Sequence, residues 1–396
     1  FSKDYILPNR ENPNSYKYIE FYKDNEIESF YQSNGFDVFF FMDIFGEYLK
    51  KKHVGLFFFS IEKLLKCIFV YRIYSIRELR IFLVFELRVN FSIFILKKIK
   101  PSYIIVGYDI LFPAYFQLAA NELQIKTIAL TERQFVMHSE NLPVFVDYYF
   151  IPGDSFNRVI EKNQYSIVEK TFSIGLIRTD YAFELQKKVK VKKNQVIIFD
   201  FHSEEVNSIS LLSWQNNLLF YKDIYKLISN FPQYEFVIRG KNILWTKLAY
   251  FQEIFLKLKQ LRNLIISDID EIGESYRLLV QSEYVIARVT SIAEEAIAMG
   301  KKVIFHENFL EGRRDILNLF GLDNMALVSY DANELIESFT QIIDSSHDFR
   351  DFKKIIDMYS IADGKVRERY LERIKVIFET VSRKDFVFSD SVKSIS

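Results

Sequence analysis

From residue 195 onward, short apolar runs alternate with longer stretches that have helical spacing. The apolar runs predict six strands, at 195–201, 234–239, 263–267, 283–287, 302–305 and 326–330. The stretches between and after them predict helices, within 208–230 and near 245–260, 272–281, 291–299, 312–320 and 332–344. Strands that alternate with helices in this way form a parallel, doubly wound α/β domain.

The same rhythm begins earlier, near Pro101. Strands are predicted at 102–109, 126–130 and 144–151, with a helix over 112–124 between the first two. The lysine-rich segment FELQKKVKVKKN lacks an apolar period and predicts an interdomain linker. The expected organisation is a first domain at 1–182, a linker at 183–194, a second domain at 195–347 and a helical tail at 348–396 that packs back on the first domain.

The stretch from residue 36 to 99 is the most apolar part of the chain, but charges recur inside it. Its longest uncharged run falls short of the roughly 18–20 residues that a membrane-spanning helix needs, which favours buried strands and helices. The alternative is a basic, aromatic face that rests on a membrane surface. The lysines that would suit anionic headgroups are Lys50, Lys51, Lys52, Lys97, Lys98 and Lys100.

Composition excludes several classes of protein. Lys+Arg and Asp+Glu both number 52, so no net field indicates a nucleic-acid partner, and the single Cys67 excludes a disulfide framework and fits a reducing compartment. The chain has no CxxC, no pair of histidines at metal-ligand spacing, and no G-x-G-x-x-G, P-loop or G-x-S-x-G motif. These absences argue against a dehydrogenase, an NTPase and an α/β-hydrolase. We therefore expect no metal and no cofactor.

The segment VTSIAEEAIAMGKKVIF at 289–305 places polar side chains where a strand passes into a helix. Ser291 and Glu294 have the spacing of a capping box, which is a sufficient structural explanation for these two residues. A helix N-terminus also binds anions, so Thr290 and Ser291 are candidates to donate to a phosphate. Glu295 would accept from ribose hydroxyls, and Arg288 would pair with the phosphate.

Two histidines also follow strands of the predicted second sheet. His202 comes after the first strand and His306 after the fifth. Because ligands of open parallel sheets bind at the carboxyl ends of the strands, both are candidates to contact a donor substrate. A lone loop histidine is more often an ordinary surface residue, and that interpretation stays open.

Four segments, taken together, resemble a known family. They are TSIAEEAIAMGKKVIF, FSIGLIRTDYAF at 172–183, PGDSFNRVIEKN at 152–163 and DGKVRERYLERI at 363–374. In order and spacing, from Pro101 to Ile374, they resemble two-domain GT-B glycosyltransferases of bacterial surface polysaccharides, related to the CDP-glycerol glycerophosphotransferase and polysialyltransferase groups. The resemblance implies two Rossmann-like domains facing a cleft. It also implies that Arg178 and Asp180 lie at the junction of the domains.

The chain departs from this family where related transferases carry histidines. LTERQ at 130–134 has Glu132 at the first such place, either as a general base or as a solvated loop carboxylate. IRGKN at 238–242 has Arg239 and Lys241 at the second, where they could hold a phosphate.

The resemblance implies a transferase that moves a sugar from a CMP- or NDP-sugar to a surface glycan or a lipid-linked acceptor. The first domain would bind the acceptor and the second the donor. We expect inversion without a metal ion, in the cytoplasm, with a contact to the inner face of the membrane as a further expectation. The alternatives are a polyol-phosphate transferase, a sugar-nucleotide epimerase and an inactive scaffold of an assembly complex.

Overall fold

The computed structural model divides the chain into two compact units. The first comprises Phe1–Glu132, Ser139–Ile151 and Ile160–Phe172, and the second Arg133–His138, Pro152–Val159 and Ser173–Ser396. The structure describes residues 4–8, 16–20, 36–40, 75–99, 101, 103–106, 113–131, 144–200, 214–240, 243–268, 273–288, 290–307, 326–344 and 353–377.

The first unit contains two sheets among its described residues. A three-stranded sheet has the order β1-β2-β3, with strands β1 (Asp4–Pro8), β2 (Tyr16–Glu20) and β3 (Phe36–Phe40). A four-stranded sheet has the order β4-β5-β6-β7, with strands β4 (Tyr103–Val106), β5 (Lys126–Leu130), β6 (Phe145–Ile151) and β7 (Ile167–Ser173). The described helices here are α1 (Ile76–Ile99) and α2 (Ala114–Glu122); of α3 (Asn157–Lys162), residues 160–162 belong to this unit and the rest to the second.

Strand β7 was not predicted from the sequence. It lies at the edge of its sheet, and Ile167, Glu169 and Lys170 are exposed along it. An edge strand whose side chains reach solvent does not need the apolar pattern by which a buried strand is recognised.

The second unit is built on a six-stranded parallel sheet, as predicted. Its strands are β8 (Lys192–Phe199), β9 (Glu235–Arg239), β10 (Leu264–Ser267), β11 (Ser282–Ala287), β12 (Lys302–His306) and β13 (Ala326–Ser329). Their order is β10-β9-β8-β11-β12-β13, and every neighbouring pair is parallel. The direction of winding therefore reverses between β8 and β11, which is the switch point of a doubly wound sheet.

Helices cover both faces of this sheet. The described helices of the unit are α4 (Ile177–Gln186), α5 (Trp214–Asn230), α6 (Gln252–Lys259), α7 (Glu274–Gln281), α8 (Ser291–Ala298), α9 (Ala332–Asp344), α10 (Lys353–Tyr359) and α11 (366–377). Val196 and Ile198 pack on one face with α5, α6 and α9, whereas Ile197 and Phe199 pack on the other with α7, α8 and α10. Both faces are buried, so the strands read as continuous apolar runs.

The segment expected to be a linker, 183–194, has regular structure at both ends. Its first four residues complete α4, which ends at Gln186, and its last three begin β8 at Lys192. Residues 192–194 are exposed, so this start of the strand needs no apolar side chains. The whole segment lies inside the second unit, and this division differs from the boundary expected at 182.

The C-terminal segment contacts residues within 152–153 and 174–180, which the sequence predicts to belong to the first domain and the structure groups with the second unit. Ile361 N donates to Pro152 O over 2.9 Å. A Cβ at Gly153 would collide with the carbonyl of Met358, and one at Gly175 would collide with that of Ile361. Glycine is therefore required at both positions for the two backbones to approach.

A partly buried lysine, Lys301, joins the end of α8 to the end of α7. Gly300, in the left-handed conformation, and Lys301 end α8 in a Schellman motif, with Gly300 N bonded to Ile297 O and Lys301 N to Ala296 O. Lys301 Nζ then donates to Val280 O over 3.0 Å and Ser282 O over 2.7 Å. Burial lowers the pKa of Lys301 to about 8, against the opposing attraction of Glu283.

This lowered pKa makes stability depend on pH. Between about pH 8 and 10.5 the unfolded chain keeps a proton on Lys301 that the folded chain releases, so stability rises with pH across this window. From pH 7 to 9.5, we expect the unfolding free energy of the wild type to gain up to about 2 kcal/mol relative to Lys301→Met. The measurement is urea unfolding at several pH values.

The matched control is Lys226→Met, which removes an exposed lysine of α5 in the same unit. The difference in unfolding free energy between this variant and the wild type should stay constant with pH. A flat difference curve for Lys301→Met would contradict the account.

Candidate functional site

The segment 290–301 begins with an N-cap that differs from the predicted one. Thr290 is the N-cap of α8, Ser291 is its first helical residue, and the Thr290 side chain makes no capping hydrogen bond. The predicted capping box, with Ser291 as the N-cap, is therefore wrong. Both hydroxyl-bearing residues are partly exposed at the start of α8. Helix amides and the positive end of the helix dipole lie at this point, where an anion is stabilised.

Behind this helix start, Glu295 is buried with its carboxylate between two side chains. The side chain is 1% exposed, accepts a hydrogen bond from the Tyr276 hydroxyl at Oε2, and lies 3.9 Å from Arg178 Nη1 at Oε1. Arg178 is 32% exposed. A buried carboxylate is retained when donors and a cation compensate its charge, and Tyr276 and Arg178 do so here.

Arg239 belongs to the same face of the sheet. It is the last residue of β9, and its Nε donates to Ser275 Oγ over 3.4 Å. Ser275 and Tyr276 are neighbours in the first turn of α7, which follows the left-handed Gly273. We call Arg178, Arg239, Tyr276, Thr290, Ser291 and Glu295 the α8-face cluster.

Arg288 lies on the opposite face of the sheet. It is 2% exposed, donates to Asn217 Oδ1 of α5, and stacks over the Phe220 ring at 5.2 Å. Burial lowers the pKa of Arg288 to about 10, and the oxygens of Tyr221, Asp200 and Glu307 oppose this shift. The Tyr221 hydroxyl in turn donates to Asp200, the residue that follows β8.

His306 lies on the Arg288 side of the sheet and is fully buried. Its Nδ1 is 2.9 Å from Ser329 Oγ, its Nε2 is 3.2 Å from Asp223 Oδ2 of α5, and its ring packs against Phe220. This α5-face network thus ties one helix to the ends of four strands, β8, β11, β12 and β13. Its residues are Asp200, Asn217, Tyr221, Asp223, Arg288, His306 and Ser329. The structure does not bring Arg288 and His306 together with the α8-face cluster, and the donor contacts expected of them stay predictions.

The remaining candidates divide between placed residues and residues that are not described. Arg178 and Asp180, expected at the domain junction, both belong to the second unit and contact Glu295, Val366 and Arg367 of the same unit. Glu132, His202 and Lys241 lie outside the described residues. Among those that are described, no three His, Cys, Asp or Glu side chains are grouped so as to hold a metal ion.

Comparison with known proteins gives structural matches. No protein-family model matches the chain, and no curated protein does. A UDP-GlcNAc 2-epimerase from Methanocaldococcus jannaschii, in complex with UDP-GlcNAc and UDP, matches with a TM-score of 0.50 at 15% identity, over 74% of this chain and 80% of that one. The enzyme from Neisseria meningitidis bound to UDP-GlcNAc gives 0.48 at 18% identity, over 76% and 82%. The wall teichoic acid polymerase TagF gives 0.41 at 13% identity, over 70% and 73%.

The chain has a GT-B fold. At these identities the likeness concerns the fold alone. The fold class that the sequence predicted is confirmed, and activity has to be argued from the site itself.

Sequence reasoning missed the residues that hold the candidates in place. Tyr276, Asn217 and Asp223 lie on helices, far from any strand end in sequence. The alternation of side chains along β11 could have assigned Arg288 to the α5 face. Ile286 and Arg288 lie on one side of the strand, and Ala287 lies on the other.

The buried guanidinium of Arg288 leads to a stability prediction. Arg288→Met removes the cation that faces two buried carboxylates, Asp200 and Glu307, and should destabilise the second unit by roughly 3–5 kcal/mol. Urea unfolding followed by far-UV circular dichroism measures the loss.

Lys257→Met is the control, since it breaks an ion pair with Glu253 whose side chains are 50% and 80% exposed and should cost less than about 1 kcal/mol. An Arg288→Met variant no less stable than this control would show that Arg288 is not a structural counter-charge.

Proposed function

We propose that the protein is a glycosyltransferase that moves a sugar from a nucleotide-activated donor to a surface glycan or a lipid-linked acceptor. The donor would be a CMP- or NDP-sugar bound by the second unit. The proposal is supported by the α8-face cluster and by the GT-B fold.

The observation that carries the proposal is the pairing of a helix N-terminus with a buried carboxylate about one turn further on. Thr290 and Ser291 are partly exposed at the start of α8, and Glu295 is buried behind them. The helix start would bind a phosphate oxygen. The carboxylate would accept hydrogen bonds from a ribose, once the one-third exposed Arg178 gives up its long contact with it.

The leaving group would be stabilised by the protein's own positive charges. Arg239 ends β9 on the same face as α8, and its guanidinium is proposed to hold a phosphate of the donor. Lys241 is proposed to hold the same phosphate. Fixed dipoles and cations that face a developing negative charge lower its energy without reorganisation. In this proposal no metal is required, Glu132 removes the proton of the acceptor hydroxyl, and the configuration at the anomeric carbon is inverted.

An epimerase acting on a nucleotide sugar is the second candidate, because the M. jannaschii neighbour is a UDP-GlcNAc 2-epimerase in complex with UDP-GlcNAc and UDP. The α8-face cluster would serve either enzyme, since both bind the phosphate and the ribose of a nucleotide-activated sugar. Incubation with UDP-GlcNAc alone separates them: a new epimer supports the epimerase, whereas turnover only with an added acceptor supports the transferase.

Nucleotide binding is the primary test. Thermal unfolding with UDP, CMP and GDP in the presence and absence of EDTA should show that at least one raises the midpoint, since a ligand that binds only the native state stabilises it. Thr290→Val and Glu295→Gln should each weaken that nucleotide roughly tenfold, the cost of one hydrogen bond to a charged group.

Thr340→Val is the matched control, because Thr340 is an exposed residue of α9 whose hydroxyl bonds only within its own helix, to Ile336 O. Its affinity should equal that of the wild type. Absence of stabilisation by all three nucleotides would remove the transferase and epimerase proposals together and leave the inactive scaffold. Stabilisation that EDTA abolishes would contradict the metal-independent form. Transfer of a polyol phosphate from CDP-glycerol would support the polyol-phosphate transferase.

We also propose that the first unit contacts an anionic membrane surface, where a lipid-linked acceptor would lie. Ile81 and Val84 of α1 are 62% and 43% exposed, and Arg77, Arg80 and Arg88 are exposed on the same stripe of the helix. Apolar side chains flanked by arginines favour an anionic lipid interface. None of the described helices is long and apolar enough to span a membrane.

Co-sedimentation with vesicles tests this contact. The protein should bind vesicles containing phosphatidylglycerol and not pure phosphatidylcholine, and the double variant Ile81→Ser/Val84→Ser should reduce binding several-fold. Ile167→Ser is the control, because Ile167 is 69% exposed in the same unit but lies on β7. Equal loss in both variants would contradict a specific role for α1.

A further inference from the structure

We propose that the C-terminal segment 353–377 is a positioning element of the nucleotide site, acting through Asp180 on Arg178 and Tyr181. The functional part of this inference rests on the proposed nucleotide binding. The structural part, that the segment fixes the geometry around Glu295, does not depend on it.

The first step is the attachment of α4 to α11. Asp180 is 7% exposed and accepts from Val366 N over 3.0 Å and from Arg367 N over 2.9 Å, one amide at each carboxylate oxygen. These amides open α11, so Asp180 caps a helix that is distant in sequence. A carboxylate is stabilised there by the unpaired amides and by the helix dipole.

The second step is a further clamp beside this cap. The Arg369 guanidinium donates to Ile174 O through Nε (3.1 Å) and Nη2 (2.9 Å), and it also pairs with Asp363. Gly175 lets Ile361 approach the backbone that leads into α4. The segment just before α4 and its first turn are thus held by the C-terminal segment at several points.

The third step is that the same turn of α4 reaches the α8-face cluster. Arg178 and Tyr181 flank Asp180 within one turn. Arg178 pairs with Glu295, while Tyr181 meets Tyr276 edge to face, with ring centroids 5.8 Å apart. The Tyr181 hydroxyl also fills the space beside Gly273 at the start of α7.

These contacts connect the C-terminal segment, through α4, to Tyr276 and Glu295. Tyr276 donates to Glu295, so both side chains that hold this carboxylate are themselves located by α4. Charge interactions with a buried group change steeply with distance, because the surrounding dielectric is low. A small shift of α4 would therefore change how Glu295 is presented to a ligand, without any direct contact between that ligand and the C-terminal segment.

The experiment compares two aspartates that each cap a helix. Asp331 accepts from Asn333 N over 2.7 Å and Glu334 N over 3.0 Å at the start of α9. Asp180→Ala and Asp331→Ala therefore remove the same kind of cap from the same unit, and only Asp180 is joined to the α8-face cluster. Asp180→Asn, which keeps one acceptor oxygen, is the second variant should Asp180→Ala fail to fold.

Hydrogen exchange followed by mass spectrometry tests the structural part without a nucleotide. Asp180→Ala should speed exchange in 366–377 and also in α7 and α8, whereas Asp331→Ala should speed it only in α9. Faster exchange confined to 366–377 would overturn the inference.

Nucleotide affinity tests the functional part, with the nucleotide among UDP, CMP and GDP that stabilises the wild type. Asp180→Ala should raise the Kd roughly tenfold and Asp331→Ala less than about twofold, within the range of couplings carried by residues that do not contact the ligand. In an Arg178→Gln background the effect of Asp180→Ala should become smaller, because Arg178 is one of the two side chains through which it acts. Equal effects of the two aspartates, or full additivity with Arg178→Gln, would contradict positioning. If the wild type binds no nucleotide, the proposed function fails, and hydrogen exchange alone decides the positioning role.

Discussion

The packing of α4, α7 and α8 in the second unit depends on how one buried carboxylate is stabilised. Glu295 is 1% exposed, and a buried charge of this kind is tolerated only where donors and an opposite charge surround it. Tyr276 supplies the donor and Arg178 the charge. The positions of α4, α7 and α8 are therefore linked by one electrostatic requirement.

Because side chains alternate along parallel strands, the polar residues at this edge of the sheet lie on two opposite faces. On the α5 face, Arg288 and His306 are buried in contacts with that helix, and their charges and hydrogen bonds stabilise the carboxyl edge of the sheet. On the α8 face, Thr290, Ser291 and Arg178 remain partly exposed. The residues that stabilise the sheet edge and the residues proposed to bind a ligand thus lie on opposite sides of it. This separation is consistent with a site beside the switch point between β8 and β11.

The sequence predicts the strands of the second unit well because they are buried on both faces and need apolar residues throughout. It predicts less where the decisive contact is tertiary. The helical spacing of apolar residues in this segment could not distinguish Thr290 from Ser291 as the N-cap, because a hydroxyl side chain suits that position in both cases. Arg288 is a candidate phosphate contact because it comes just before Thr290 and Ser291 in the sequence, but its side of the strand directs it to α5. The link between Asp180 and Val366 joins segments 186 positions apart, and no local pattern encodes it.

The central claim is that the start of α8 and the carboxylate of Glu295 together bind a nucleotide. The most direct measurement is a crystal structure of the protein with the nucleotide, among UDP, CMP and GDP, that raises its unfolding temperature most. The account predicts a phosphate oxygen within hydrogen-bond distance of Thr290 or Ser291 and a ribose hydroxyl on Glu295, with Arg178 moved off that carboxylate. A nucleotide bound on the α5 face without contact to Thr290, Ser291 or Glu295, or bound only in the first unit, would contradict it.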